Sequence, residues 1–216
     1  MSDIDVKPDH GYLFDVASEQ HGYFTVDQAR HCGFGWRALL HHSKSGRFIS
    51  IRRGLYRLRD FPSSPHDEVA ASWLAVGKDH AVVSHESALD LLNLSDMIPN
   101  SVHLTVPRSR RGLIPPVGAT VHTTIEPLRP DEMMTVDGIR ISSAARSIVD
   151  AAEGGSGPEQ IEMAVAQALN RGLATVGELR RAVSTRGARV RQLIEPTLAR
   201  TVASEPPILA SPRDTV

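Results

Sequence analysis

Disulfides, membrane spans and a secretory leader are all absent from what this sequence offers. It holds a single cysteine, Cys32, which excludes a disulfide framework and a cysteine-built zinc site and points to a reducing compartment. No run approaches the roughly 18 consecutive apolar residues of a membrane-spanning helix. Residues 1–10 (MSDIDVKPDH) carry acids and no apolar core, unlike a secretory or transit peptide. A cytoplasmic protein without membrane contact is expected. Phosphate cradles are missing as well. There is no GxxxxGK[ST] and no strand-bound GxGxxG, and residues 154–157 (GGSG) read as a flexible loop.

A further absence is local. No Asp or Glu lies between Asp27 and Asp60, while that stretch holds Arg30, Arg37, Lys44, Arg47, Arg52, Arg53, Arg57 and Arg59. Residues 61–160 invert the balance, with thirteen acids against seven Lys/Arg, and from residue 161 it turns basic again, eight against five. The net charge of −1 argues against a general nucleic-acid binder. One compact basic block on a neutral-to-acidic chain argues for a local polyanion footprint. A merely solvated basic face is the plainer alternative.

The pattern of elements gives an α+β chain: an N-terminal winged helix-turn-helix followed by a mixed α/β C-terminal domain. Residues 12–17 recur near helical spacing and stop at His21-Gly22. Thr25 is a plausible N-cap for a short helix over 26–32, closed by Gly33. A third helix is expected from Trp36 to about Ser45. Residues 47–51 and 55–58 form a hairpin, with Arg52-Arg53-Gly54 as its turn. This places a winged domain at 1–60. Phe61-Pro62-Ser63-Ser64-Pro65 reads as a rigid connection. A second domain is expected at 66–203, with helices at 66–76, 86–92, 143–152, 158–170, 176–184 and 189–202, Pro196 bending or breaking the last. Its strands are expected at 81–83, 102–106, 120–124 and 139–141. Ser84, Ser142 or Ser143, and Thr175 are the expected caps, and residues 204–216 a disordered tail.

A helix-turn-helix works because two short helices pack through apolar side chains and leave one face of the second free for the major groove. In the third helix, Trp36, Leu39, Leu40 and Ser43 are expected to pack, and Arg37, His41 and Lys44 to face outward. Arg37 lies near the N-terminal end, where an arginine can pair bidentately with guanine. His41 or His42 could donate to a base or a phosphate. Lys44 and Arg47 suit phosphate, and Arg52, Arg53 and Arg57 belong to the wing. The candidate DNA-contacting set is therefore Thr25, Trp36, Arg37, His41, His42, Lys44, Arg47, Arg52, Arg53 and Arg57. An ordinary three-helix packing unit with a solvated face remains the alternative.

The segments Gly22–Ala29, Gly46-Arg47-Phe48 and Arg53-Gly54-Leu55-Tyr56-Arg57-Leu58 resemble the N-terminal domain of AbiEi-type antitoxins of type IV toxin–antitoxin systems. Similarity continues through Val83-Ser84-His85-Glu86-Ser87-Ala88-Leu89, residues 102–107 and residues 138–150, and covers roughly 10–185. The resemblance implies a winged helix that represses its own operon through an inverted-repeat operator in double-stranded DNA. It implies a C-terminal domain that counters a nucleotidyltransferase-like toxin, directly or only functionally. The short polar cap usual before the third helix is here Gly35. A related middle region also occurs in proteins bearing a Vsr-like endonuclease domain, but no Asp…Glu-x-Lys constellation follows Gly172.

Other chemistry is weighed and set aside, so neither catalytic residues nor a cofactor is expected. Ser84, His85 and Glu86 are adjacent and cannot form a relay in that order on a helix; Ser84 is better read as a cap. His85, His103 and His122 could be neighbours, but spaced carboxylates are lacking and no metal is expected. Arg108, Arg110 and Arg111 read as an exposed loop or a second nucleic-acid contact. The readings left are a DNA-binding autorepressor and antitoxin, an interaction module without sequence-specific DNA binding, and an accessory protein of the nuclease lineage.

Overall fold

A computed structural model describes residues 7–204, with side chains to residue 200. The tail expected after Ser204 lies outside the described residues. The chain opens with helix α1 (His10–Ser18), whose first turn is capped by the Asp9 carboxylate accepting from the Tyr12 amide at 2.9 Å. Strand β1 (Tyr23–Thr25), helix α2 (Val26–His31), helix α3 (Trp36–Lys44) and the hairpin β2 (Phe48–Arg52) and β3 (Leu55–Leu58) follow. The first sheet has the order β1-β3-β2, all antiparallel. β1 was not read from sequence: three residues are too few for a period-two pattern to register.

This small sheet is packed on both faces. Residues directly opposite in an antiparallel pair share a face. Phe24 pairs with Tyr56 on one face, and Tyr23 with Arg57 on the other. Phe24 and Tyr56 join Leu13, Ala17, Ala29, Phe34, Leu39 and Phe48 in a compact core under the helices. Tyr23 and Leu55 instead join the larger core of the rest of the chain.

That larger core begins with helix α4 (Asp67–Val76) and continues through β4 (Val82–Val83), helix α5 (His85–Leu91), β5 (Val102–Pro107) and β6 (Ala119–Thr124). Strands β7 (Met133–Val136) and β8 (Ile139–Ser142) follow, then helices α6 (Ala144–Gly154), α7 (Pro158–Asn170), α8 (Val176–Ser184) and α9 (Ala188–Ser204). The second sheet is mixed, in the order β6-β5-β4-β8-β7, with β5/β6 and β4/β8 parallel. Val102, Leu104 and Val106 alternate with His103 and Thr105, so one face of β5 enters the core and the other carries polar groups. Thr175 caps α8 with a reciprocal box through Glu178, and Ser143 caps α6. Helix α9 runs through Pro196 without ending there.

Two expected features differ. Strand β7 is present where sequence gave none, because Met133 and Met134 carry no β-branched signature. Ser84 precedes α5 but its hydroxyl makes no capping bond; it is turned to Thr105 Oγ1 at 2.7 Å.

The two cores are joined at one junction. Arg57 is buried in β3 and donates from Nη2 to the Pro62 carbonyl at 2.8 Å and to Asp67 Oδ2 at 3.1 Å, its guanidinium lying 5.3 Å from the Tyr23 ring centroid. Beside it the β7–β8 turn abuts the end of α1: His21 Nε2 lies 2.9 Å from the Asp137 carbonyl, and His66 Nδ1 is 3.2 Å from the Asp137 carboxylate. Gly138 has φ +78°, and a Cβ there would stand 2.4 Å from the Glu19 carbonyl oxygen.

Gly138→Ala must therefore both strain the turn and push the two parts of the chain apart. It should cost at least about 2 kcal/mol and lower Tm by about 4–8 °C; an unchanged melting curve would mean that the Glu19 contact is not kept. Asp67→Ala strands the buried Arg57 guanidinium with one carbonyl partner. Because Asp67 retains some solvent access, the loss should be about 2–3 kcal/mol, below that of a fully buried pair. A double-mutant cycle with Arg57→Met should return a coupling of about 1 kcal/mol or more, and additivity would refute the pairing.

Candidate nucleic-acid interface

Helix α2 is fixed at its start by Thr25, whose Oγ1 accepts from the Gln28 amide at 3.2 Å while Gln28 Oε1 accepts from the Thr25 amide at 2.8 Å. The Gln28 side chain is in turn bonded to Gln20 at 3.0 Å. Thr25 thus has a structural duty at the entry to the helix-turn-helix. After α2, the Phe34 amide donates to the Ala29 carbonyl at 2.9 Å, and Gly33 takes φ +82°, which turns the chain into α3. Gly35 precedes α3 without a side-chain cap.

Helix α3 is rotated relative to the expected packing. Its inward residues are Leu39 and His42, with Ala38 partly buried. Trp36, at 65% exposure, and Leu40, at 41%, face solvent. The expectation that Trp36 and Leu40 pack inward is therefore corrected. The cause is the aromatic floor made by Phe34 and Phe48, which takes the His42 ring at centroid distances of 5.7 and 4.9 Å. His10 adds an edge contact to His42 at 5.0 Å. Burial, followed by the nearby His10, His41 and Arg47, holds the His42 imidazole below its usual range, so the neutral ring is favoured there. His42 is thus a core residue and not a group that reaches DNA.

The outward face of α3 carries Trp36, Arg37, Leu40, His41 and Lys44. Arg47 is exposed just beyond the helix, and Arg53 is exposed in the hairpin turn beside Gly54, which takes φ +81°. Arg52 is partly buried, one guanidinium nitrogen lying out of solvent without a partner. Arg59, outside the candidate set, donates from Nε to the Gly46 carbonyl at the end of α3. Arg57 is the second correction: from sequence it belongs to the wing's phosphate contacts, but its guanidinium is turned away into the junction with Asp67. Among the described residues, no ion pair involves Arg37, Lys44, Arg47 or Arg53. Arg30 is paired with Asp27 at 3.2 Å, both exposed, and adds little. The arrangement therefore presents one helix face with an indole, an aliphatic side chain and uncompensated cations, next to a basic turn.

Within the Ser84-His85-Glu86 run, where no relay is expected, one contact forms. Ser84 Oγ lies 2.9 Å from His85 Nδ1. The serine hydroxyl is wholly buried, however, and Glu86 is engaged by Ser156 at 2.7 Å, not by His85. No relay is built. Arg108, Arg110 and Arg111 form an exposed turn after β5. A separate ionic cluster, missed from sequence, joins α6 to the end of α8: the Asp150 carboxylate, almost fully buried, receives Arg146 Nε at 2.8 Å and Arg186 Nη2 at 2.6 Å. Its residues are spread over the chain, and only their shared acid–base complementarity could have signalled it. No helix among the described residues is long and apolar enough to cross a membrane.

Comparison with known proteins agrees with this picture at two scales. No curated protein matches the chain. A solved structure, that of the RV2827C protein from Mycobacterium tuberculosis, superposes with a TM-score of 0.55 at 16% identity, over 87% of this chain and 74% of that one. At that identity the likeness is one of fold. A family model described as "Transcriptional regulator, AbiEi antitoxin" matches residues 12–59, the segment from α1 through the hairpin. Over residues 12–59 the chain is thus similar to the AbiEi antitoxins, a family of transcriptional regulators.

Proposed function

We propose that this protein is a DNA-binding autorepressor and antitoxin of a type IV toxin–antitoxin system, acting in the cytoplasm and without catalytic activity of its own. The observation that carries the proposal is the outward face of α3, where Trp36, Arg37, Leu40, His41 and Lys44 are exposed and, among the described residues, Arg37 and Lys44 enter no ion pair. In this reading residues 1–60 form the DNA-binding domain and 66–203 the antitoxin-like domain. The target is double-stranded DNA carrying an inverted repeat, bound by two copies. A nucleotidyltransferase-like toxin is opposed either directly or only through function.

The roles divide by position. Arg37, in the first turn of α3, reads a base edge, a contact worth about 1–3 kcal/mol of discrimination. Lys44, Arg47 and Arg53 hold phosphates and set register without reading sequence. Trp36 and Leu40 give apolar contact to sugar or to a thymine methyl. His42 and Arg57 contribute by holding the helix and the wing in place.

A gel shift on the DNA upstream of the gene tests this. The Arg37→Ala/Arg53→Ala variant should bind at least about tenfold more weakly than wild type. Undiminished binding would remove the site assignment, and no wild-type binding at low salt would remove the DNA function. With Lys44, Arg47 and Arg53 each neutralising one phosphate, the log–log salt slope should be about −2.7 per copy, and Arg53→Ala should reduce its magnitude by about 0.9. An interaction module that binds protein through Trp36 and Leu40 would show neither dependence.

A further inference from the structure

His85, His103 and His122 lie far apart in sequence and come together where α5 begins over the polar face of the second sheet. Parallel strands β5 and β6 set His103 against Thr120 and Thr105 against His122. All four therefore project from one face, opposite the core-facing Leu104. His103 Nδ1 and His122 Nε2 are 2.9 Å apart. The His85 ring stacks on that of His122 at 3.7 Å and lies 5.7 Å from His103. One ligand atom of each ring lies within 4.8 Å of the others. His85 is held in the left-handed region at φ +54°, a conformation that a side chain other than glycine seldom keeps without cause.

The surroundings select which nitrogens are free. His85 Nδ1 is taken by Ser84 Oγ, itself anchored on Thr105 at 2.7 Å. His103 Nε2 meets Ser101 Oγ at 3.3 Å, and Ser101 is tied to Thr120 at 2.8 Å. A hydroxyl on the far nitrogen is the support that orients a metal-bound imidazole. Arg146 and Arg186 act on His85 against positive charge although each is paired with a carboxylate, whereas Glu86 favours it at His103. His85 and His122 also border a cleft of about 850 Å³.

We propose that His85 Nε2, His103 Nδ1 and His122 Nε2 bind one divalent transition-metal ion, with a fourth coordination position open to the cleft. Three neutral nitrogen donors favour zinc, cobalt, nickel or copper over magnesium and calcium, which take oxygen ligands. Three protein ligands and one open position is the pattern of a zinc site that admits water or a further ligand. Metal–nitrogen bonds of about 2.0–2.1 Å in tetrahedral geometry put the donors about 3.3 Å apart. Stacked rings must therefore rotate about χ2, a broad torsion, to aim their lone pairs at a common point.

The test uses the untagged full-length protein, stripped with a chelator and titrated with Zn²⁺ by calorimetry and with Co²⁺ by visible absorption. One equivalent of Zn²⁺ should bind, and Co²⁺ should develop the intense bands of a four-coordinate ion. His103→Gln and His122→Gln should each weaken Zn²⁺ binding more than about 100-fold, and Ser101→Ala about tenfold. His80→Gln, at an exposed histidine outside the cluster, should change nothing. Zinc at about 100 times its Kd should raise the wild-type Tm by about 5–10 °C, a readout that stands even if a histidine variant folds poorly. Wild-type affinity no greater than that of the His103→Gln/His122→Gln protein, a Co²⁺ spectrum unchanged from the aquo ion, or no zinc-dependent rise in Tm would overturn the proposal.

Discussion

The Arg57 guanidinium is the point on which the two halves of the molecule depend. It emerges from the central strand of the small sheet and is held by the Asp67 carboxylate, the Pro62 carbonyl and the Tyr23 ring. Those partners belong to the neighbouring strand, to the connection and to the first residue of α4. A charge buried this far is tolerated only where such partners surround it. The arrangement consequently fixes the direction in which the chain leaves the hairpin. It also explains why the small sheet has two apolar faces: Phe24 and Tyr56 close the helix-turn-helix core, while Tyr23 and Leu55 reach into the larger one. The wing is therefore anchored through its backbone, and the orientation of α3 is inherited from a framework that includes the second half of the chain.

Charge is partitioned accordingly. Arg57, Arg146 and Arg186 are paired inside or between elements and organise the fold. Arg37, Lys44, Arg47 and Arg53, in no ion pair among the described residues, lie on the outward face of α3 and around the hairpin. An unpaired cation on a surface costs little in water and gains when it releases counterions condensed on a polyanion. The acid-free stretch between Asp27 and Asp60 is what keeps those side chains from being satisfied internally.

Much of the first sixty residues was legible because its signals are local. Thr25 with Gln28 spells a capping box, and Gly33, Gly46 and Gly54 mark the turns at positive φ. The phase of α3 was not legible. Periodicity scored Trp36 as a core residue, yet the pocket available is lined by Phe34 and Phe48 and accepts the flat His42 ring, leaving the larger indole outside. Arg57 was misread for a related reason: a strand alternates faces, and only the partner on β1 reveals that its outer face is covered. In the second half, helices with capping residues were recognisable at 158–170 and 176–184, whereas β7 and the parallel pairing of β5 with β6 required long-range contacts that no local pattern encodes.

That same parallel pairing separates the chemistry of the two regions. On α3, the proposed DNA contacts would rest on side chains that the fold leaves exposed. Around His103 and His122 the polar groups meet one another, through hydroxyl–imidazole, hydroxyl–hydroxyl and imidazole–imidazole contacts and stacked rings. A cluster of this kind gives up little when an ion replaces the contact between two rings, since the supporting hydroxyls stay where they are. The outward face of α3 is thus local in sequence and lies within residues 12–59, the segment similar to the AbiEi antitoxin regulators. The histidine cluster is assembled by sheet topology, so its presence in a relative would have to be judged from residues aligned on β5, β6 and α5 and could not be inferred from the winged segment.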